Sequence, residues 1–380
     1  MESPGYQPLG SVLVIGGSGF VGFHIVQQFL KQPGTSVSVI SRNPKRNAIP
    51  GVSYHVGDVS NSSRMRELVL TIRPAVIVHA ACPSPISASA KMYADVTVKA
   101  TQELLAIATE APSVKAFIYT SSATMAAGSV HIDLDESAPL ADTKSGSHPY
   151  ARTKAEADTM VLKSNKPVQD EGSSGLLTAC IRLPIVYGER DLVSIPGALT
   201  ALERDRTGFQ LGDGFNMWDF ASAGNAGMAH VLLAKALIAQ HTTPSTTKVD
   251  GEAFNITDGE RHRFWDFPRT CWEAAGWEPL PNEHTRVLSS TLALGAAIVM
   301  EWLYWIFTLG TKRPGLLSRQ QVEYCCFTHT YNIEKAKERL GYAPVAEFEE
   351  GITKAVKWSL DHDGWAARME RRNISPRKSK

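Results

Sequence analysis

The chain has no surplus of either charge. Its 380 residues carry 39 lysines and arginines against 38 aspartates and glutamates, a net charge of +1. It therefore has no global field with which to hold nucleic acid or an acidic partner. Cysteines are few: Cys82, Cys180, Cys271, Cys325 and Cys326. Their number is odd and none forms a C-x-x-C, which speaks against a disulfide framework and against a structural zinc site. No metal is expected, and a reducing compartment is the simplest reading. The first residues lack a basic n-region. The first apolar run, Val12–Ile15, is too short for a secretory h-region. N-x-S/T matches at Asn61, Asn255 and Asn373 are too common by chance to count as glycosylation sites. No internal repeat is visible.

What is present is an alternation of short β-branched runs and longer stretches with helical spacing. Candidate strands are residues 11–15, 37–40, 52–56, 75–79, 116–120 and 177–183. Candidate helices between them are 21–31, 62–72, 98–109 and 150–163. Strands apolar on both faces, each followed by a helix, predict an α/β fold: a doubly wound parallel sheet covered on both sides. After Tyr187-Gly188 the pattern loosens. A smaller region built mainly from the C-terminal half is expected there.

The glycine-rich turn is the first chemical signal. The strand ending at Ile15 runs into Gly16-Gly17-Ser18-Gly19-Phe20-Val21-Gly22, which holds both G-x-x-G-x-x-G and G-x-G-x-x-G. The first glycines permit a tight turn, the middle one leaves room for a pyrophosphate, and Gly22 lets the next helix pack close. The helix N-terminus then offers free N–H groups to the phosphates. The motif follows a strand and opens an amphipathic helix, which is the context it needs. Residues 10–190 are thus expected to be a dinucleotide-binding Rossmann domain, residues 191–362 mainly a substrate-binding region, and residues 363–380 a basic tail, disordered from Arg368.

The choice of dinucleotide rests on another absence. No acidic residue lies between Ser3 and Gly57, so the carboxylate that would hold the ribose hydroxyls of NAD is missing. The second strand leads instead into Arg42, with Lys45 and Arg46 behind it. A guanidinium there suits a 2′-phosphate. NADP(H) is favoured, with NAD(H) still open. Asp58-Val59 is placed to meet the adenine amino group, and Ala80 and Ala81 are small enough to let the cofactor pass.

The second signal is Tyr150-Ala151-Arg152-Thr153-Lys154, a Y-x-x-x-K that puts both functional groups on one helix face. An unperturbed tyrosine titrates near 10, and lowering it by about three units takes roughly 4 kcal/mol. Lys154 and the positive nicotinamide ring could supply most of that. The strand before it ends in Thr120-Ser121-Ser122. Ser122 is taken as the hydroxyl that orients a substrate oxygen, with Ser121 as the alternative.

With cradle, serine and Y-x-x-x-K in this order, the chain resembles the extended short-chain dehydrogenases. The C-terminal half narrows this to the 3β-hydroxysteroid dehydrogenase group, and most closely to the decarboxylating sterol-4α-carboxylate 3-dehydrogenases. The stretches that carry the likeness are residues 251–259 (GEAFNITDG), 264–267 (FWDF), 301–305 (EWLYW), 333–342 (IEKAKERLGY) and 348–352 (FEEGI). The resemblance implies oxidation of a 3β-hydroxyl on a sterol- or triterpenoid-like substrate by NAD(P). Tyr150 would act as base, Ser122 would hold the oxygen, Lys154 would support both, and a C4 carboxylate would leave as CO2. It also implies the endoplasmic reticulum membrane or the cytoplasmic face of membranes, and otherwise a cytoplasmic enzyme. The chain departs from the family at Thr97-Val98-Lys99-Ala100-Thr101, Arg182-Leu183 and Gly224-Asn225. Those positions bear on cofactor choice and substrate.

Three other functions remain in view: an NADPH-dependent 3-ketoreductase on a related terpenoid, a non-catalytic dinucleotide-binding module, and a nucleotide-sugar epimerase. The partners expected are a lipophilic small molecule and a membrane surface, with a homodimer left open. Residues 292–309 are apolar except for Glu301 and are flanked by Lys312 and Arg313. A central glutamate costs about 2–3 kcal/mol or more in hydrocarbon. The segment reads as a buried or substrate-lining helix, an interfacial or re-entrant anchor, or a span.

Overall fold

In the computed structural model the described residues are 8–143, 147–167, 175–242, 247–279, 285–308, 318–345 and 347–371. Seven strands form one parallel sheet: β1 (Gly10–Ile15), β2 (Thr35–Ser41), β3 (Ser53–Val56), β4 (Val76–His79), β5 (Ala116–Ser122), β7 (Leu177–Leu183) and β11 (Glu252–Asn255). Their order is β11-β7-β5-β4-β1-β2-β3. Every residue of β4, β5 and β7 is buried, which is why these runs are apolar throughout rather than alternating. The chain leaves β1 toward β2 in one direction and returns to β4 in the other. That reversal opens a crevice at the carboxyl ends of β1 and β4.

Each face of the sheet is covered by helices. On one face α1 (Phe20–Leu30), α7 (Ala223–Thr242) and α11 (Glu334–Leu340) bury Ile25, Phe29, Leu233, Leu237 and Leu340 against Val12, Val14 and Ile118. On the other, α2 (Ser62–Ile72), α4 (Ala100–Glu110) and α5 (Pro149–Lys163) bury Leu68, Leu104 and Val161 against Leu13, Ile77 and Phe117. A short α3 (Ala90–Tyr93) and a π-helical stretch, Ala94–Lys99, lead into α4, so this helical run begins well before the expected start at Val98. The seventh strand, β11, and α7 lie beyond residue 190. The nucleotide-binding layer therefore draws on both halves of the chain.

The C-terminal region packs α6 (Ser194–Glu203), α8 (Asp266–Ala274), α12 (Phe348–His362) and α13 (Trp365–Glu370) around Trp218 and Phe220 of β10 (Met217–Ser222). Strands β6 (His131–Leu134), β8 (Ile185–Tyr187), β12 (Arg261–Arg263) and β14 (His329–Tyr331) join β10 in a second sheet. Strands β9 (Phe209–Leu211) and β13 (Arg286–Leu288) make a separate pair.

Two expectations are corrected. The apolar segment forms α9 (Ser290–Thr308), but it is not buried: only Ala293 and Ala297 are covered, while Trp302 is 65% and Phe307 81% exposed. The small side chains on that face let α9 sit close to α10 (Arg319–Cys326), against Val322. The rest of its apolar surface is left uncovered. The tail is not disordered from Arg368: α13 runs to Glu370 and buries Met369 with Trp365, and Arg368 stacks 3.6 Å over the Trp365 ring and pairs with Glu203. Lys312, Arg313, Asn373 and residues 372–380 lie outside the described residues.

Candidate active site

The glycine turn closes as its sequence requires. Gly16 has φ +87°, and a Cβ there would come within 2.7 Å of the Ala81 amide nitrogen. A Cβ on Gly22 would overlap the Gly16 carbonyl oxygen and reach within 2.9 Å of the Gly17 Cα. Helix α1 starts at Phe20 with no side chain capping it, so its first N–H groups face the crevice free for an anion. Ser18 is buried and its hydroxyl has no hydrogen-bond partner.

Gly16, Ser18, Gly19, Arg42, Asp58, Val59, Ala80 and Ala81 line one cleft of about 300 Å³. Gly17, Phe20, Val21 and Gly22 stand behind its wall. A Cβ on Gly17 would strike Val39, Val21 packs on the core, and the Phe20 ring meets His24 edge-on at 5.8 Å. A buried, unpartnered hydroxyl, uncapped helix amides and bare glycine backbone are the donor set a pyrophosphate needs. Asn47, which sequence reasoning passed over, braces the turn: its amide donates to the Ser18 carbonyl at 3.1 Å and receives Arg190 Nε at 3.1 Å. Its φ of +53° is a conformation asparagine tolerates.

Arg42 is exposed at the mouth of the cleft. Asp58 accepts hydrogen bonds from the Ser60 amide at 2.9 Å and the Ser60 hydroxyl at 2.6 Å. Those bonds, then the charge of Arg42, hold its carboxyl below the usual range.

Cys82 and Pro83 also line the cleft, with Met92 and Val96 of the helical run that leads into α4. Pro149 occupies the first turn of α5, and the Tyr150 amide donates to His148 Nδ1 at 3.2 Å. The Tyr150 ring packs edge-on against Tyr93 at 5.8 Å, and its phenol lies near the Ser122 hydroxyl. Lys154, one turn on, is 3% exposed. Its ammonium donates to the Thr120 carbonyl at 2.7 Å and lies 4.6 Å over the Tyr119 ring. The strand end thus brings Tyr150, Lys154 and Ser122 together. Ser121 is turned away, its hydroxyl directed at Met125 Sδ.

Burial, more than any neighbouring group, pushes the Tyr150 phenol well above its ordinary value, and the nearby Ser122 hydroxyl works the other way. Proton transfer at this tyrosine therefore depends on what the phenol touches when it reacts. Two of its surroundings carried no sequence signal. The Thr124 hydroxyl lies 2.9 Å from that of Ser122. Tyr324 of α10, whose hydroxyl accepts from Gln320 Nε2 at 3.2 Å, is among the groups that raise the Tyr150 phenol. At the departures from the family pattern, Arg182 forms a buried two-point pair with Asp158 at 2.7 and 3.1 Å. Asn225 donates to Asp258 at 2.7 Å.

Residues 13–285 match the family described as the 3-beta hydroxysteroid dehydrogenase/isomerase family. The chain is 33% identical over 361 residues to the decarboxylating sterol-4-alpha-carboxylate 3-dehydrogenase of Saccharomyces cerevisiae, covering 92% of this chain and 98% of the yeast protein. It is 30% identical over 359 residues to 3beta-hydroxysteroid-dehydrogenase/decarboxylase isoform 1 of Arabidopsis thaliana, covering 90% of this chain and 78% of that protein. Among solved structures, a dTDP-glucose 4,6-dehydratase from Streptomyces venezuelae with NAD bound superposes with a TM-score of 0.66 at 21% identity, covering 93% of this chain and 98% of that one. That likeness shows the doubly wound fold.

Proposed function

Because the chain belongs to the 3-beta hydroxysteroid dehydrogenase/isomerase family, we propose that it oxidises the 3β-hydroxyl of a sterol- or triterpenoid-like substrate with NAD(P) and releases a C4 carboxylate as CO2. The observation that carries this reading is Tyr150, with Lys154 one turn on, packed on Tyr93 beside the Met92 that lines a cleft holding the donors for a pyrophosphate. The relatives named as decarboxylating sterol-4-alpha-carboxylate 3-dehydrogenases support the substrate class.

In this reading Ser122 holds the substrate oxygen and Tyr150 takes its proton. Lys154, fixed by the Thr120 carbonyl, supplies a positive field beside both and a donor for the nicotinamide ribose. The bound dinucleotide supplies the hydride acceptor. The ketone at C3 then makes the C4 carboxylate a β-keto acid. Its C–C bonding electrons flow into the ketone as CO2 leaves.

Within this function NADP(H) is the favoured dinucleotide, because Arg42 lines the cleft and no carboxylate lies between Ser3 and Gly57. That same feature favours a second reading, 3-ketone reduction by NADPH on a related terpenoid. Helix α9 supports a membrane-surface enzyme of the endoplasmic reticulum. At about 1.5 Å per residue its 19 residues extend roughly 28 Å, and they expose Leu292, Val299, Trp302, Trp305, Ile306 and Phe307. Glu301 accepts from the Arg319 amide at 2.9 Å, so its carboxylate is held at the α9–α10 junction, as an interfacial helix requires.

The test is dinucleotide reduction by purified protein with detergent-solubilised 4-carboxy-3β-hydroxysterols, NAD and NADP side by side. Reduction with CO2 release is expected. Reduction without CO2 would leave a plain 3β-hydroxysteroid dehydrogenase. Activity with 3-ketones and NADPH alone would favour the reductase.

A further inference from the structure

The loop that leaves β2 carries Arg42, Asn43 and Arg46 to the cleft. Inside the loop the Asn43 amide donates to Ser41 Oγ at 3.2 Å and the Arg46 amide to the Asn43 carbonyl at 3.2 Å. Asn47 ties the end of the loop to the glycine turn, its Nδ2 donating to the Ser18 carbonyl at 3.1 Å. Asn47 Oδ1 in turn accepts from Nε of Arg190, 143 positions further along the chain, at 3.1 Å. Neither Asn47 nor Arg190 lines the cleft.

We propose that Arg190 is a positioning residue for the dinucleotide: acting through Asn47, it locks the glycine turn and the Arg42–Arg46 loop against each other and so sets how tightly a dinucleotide is held. This rests on the cleft being the dinucleotide site.

A guanidinium only donates and a carbonyl only accepts. The Asn47 amide satisfies both neighbours in one orientation, with its oxygen toward Arg190 and its nitrogen toward Ser18. The flipped amide would set oxygen against the Ser18 carbonyl, and Arg190 excludes it. Arg190 is itself held. Its guanidinium lies 4.0 Å over the Phe23 ring of α1 and 4.8 Å over the Trp358 ring of α12, with 22% of the side chain exposed. Stacking on its two faces leaves the N–H groups at its edge free to donate. The Arg190 backbone has φ +69°, a region an arginine occupies only where its surroundings hold it. Those surroundings are firm. The Glu189 carbonyl accepts from His24 Nε2 of α1 at 2.9 Å, and the Asp191 carboxylate takes the Val193, Ser194 and Ile195 amides at the start of α6. On the cleft side, Asn47 grips the backbone of Ser18, whose buried hydroxyl is unpartnered. The aim of that hydroxyl, and the approach of Arg42 and Arg46, are therefore set before a dinucleotide arrives. A site ordered in advance binds more tightly than one that must order itself on binding.

The experiment titrates NADP and NAD separately into the full chain without sterol, by calorimetry, and follows thermal unfolding of each variant. The variants are Arg190→Met, Arg190→Lys, Asn47→Gly and the double Arg190→Met, Asn47→Gly. Methionine keeps an unbranched chain between the two rings, lysine keeps the charge without the planar donor, and glycine accepts the Asn47 backbone. Each single variant should weaken the tighter-bound dinucleotide about tenfold with a Tm near that of wild type. The double variant should bind no more weakly than Asn47→Gly alone, because Arg190 acts only through Asn47. Arg190→Lys and Asn47→Gly keep the test open if Arg190→Met loses its fold. Wild-type Kd in Arg190→Lys would mean that charge alone suffices, and losses that add in the double variant would mean that Arg190 acts by another route; either overturns the proposal and leaves the dinucleotide site standing. A wild-type chain that binds neither NADP nor NAD would overturn the dinucleotide reading and the proposal with it.

Discussion

The pair Arg182–Asp158 allows a stability prediction that follows from geometry. Asp158 lies on α5, two turns beyond Tyr150, and is fully buried. Arg182, on β7, is 5% exposed. The guanidinium grips both carboxylate oxygens, at 2.7 and 3.1 Å, and spends a further donor on the Glu136 carbonyl at 2.8 Å. It fastens the catalytic helix to the sheet beside Ser121 and Ser122, since Ser121 pairs in register with Arg182. Removing one partner of a buried pair strands the other charge, at a cost of about 3–5 kcal/mol. Asp158→Asn should therefore destabilise the protein by about 3 kcal/mol, a fall in Tm of at least about 5 °C. The double variant Asp158→Asn, Arg182→Met leaves no stranded charge and should regain part of the loss. Thermal unfolding followed by tryptophan fluorescence reads both. An Asp158→Asn protein within about 1 kcal/mol of wild type, or a double variant less stable than the single one, would refute the reasoning.

Other consequences can be checked separately. Gly22→Ala should weaken dinucleotide binding at least tenfold, since overpacking of about 1–3 kcal/mol falls on the Gly16 carbonyl that closes the cradle; an unchanged Kd in a binding titration would contradict the close packing. Arg42→Asp should lower the ratio of kcat/KM for NADP over NAD at least tenfold, and an unaltered ratio would remove Arg42 from 2′-phosphate recognition. Thermal stability should fall as pH drops from about 6.5 toward 4. Burial holds His79 and His329 down to about 3 and His230 down to about 4, so the unfolded chain takes up protons there that the folded one refuses. Asp191 and Asp219, pushed up to about 6 by burial, act in the opposite sense between about 3.8 and 6. Their shifts are smaller, so a Tm at pH 5 equal to that at pH 7 would count against this balance. Replacing Trp302 and Trp305, both exposed on α9, with glutamate should abolish flotation with anionic lipid vesicles, and full flotation would exclude α9 as the membrane contact.

How far the sequence reveals this molecule depends on how local each feature is. Leu177–Leu183 was legible to the residue because a fully buried parallel strand is apolar along its whole length. Gly16 and Gly22 were legible because turn and helix packing leave no alternative side chain there. The seventh strand was not read as a strand. Glu252–Asn255 has four residues and a charged start, and only its neighbour β7 makes it part of the sheet. The apolar character of α9 was plain, but its exposure was not: periodicity cannot tell a core helix from one with an uncovered face. The Trp218 ring meets His329 with centroids 4.3 Å apart, more than a hundred positions along the chain, and no spacing rule reaches that far. The folded end at Trp365 was hidden by the basic residues after it, although Arg368 turns out to use its charge on Glu203.

The central claim is that one active site couples oxidation at C3 to loss of the C4 carboxylate. The most direct test is the ratio of CO2 released to dinucleotide reduced, with a 4-carboxy-3β-hydroxysterol, for wild type and Tyr150→Phe together. The account predicts a ratio of about one in the wild type and neither product from the variant. Dinucleotide reduction by Tyr150→Phe at the wild-type rate, or reduction without CO2 in the wild type, would contradict it.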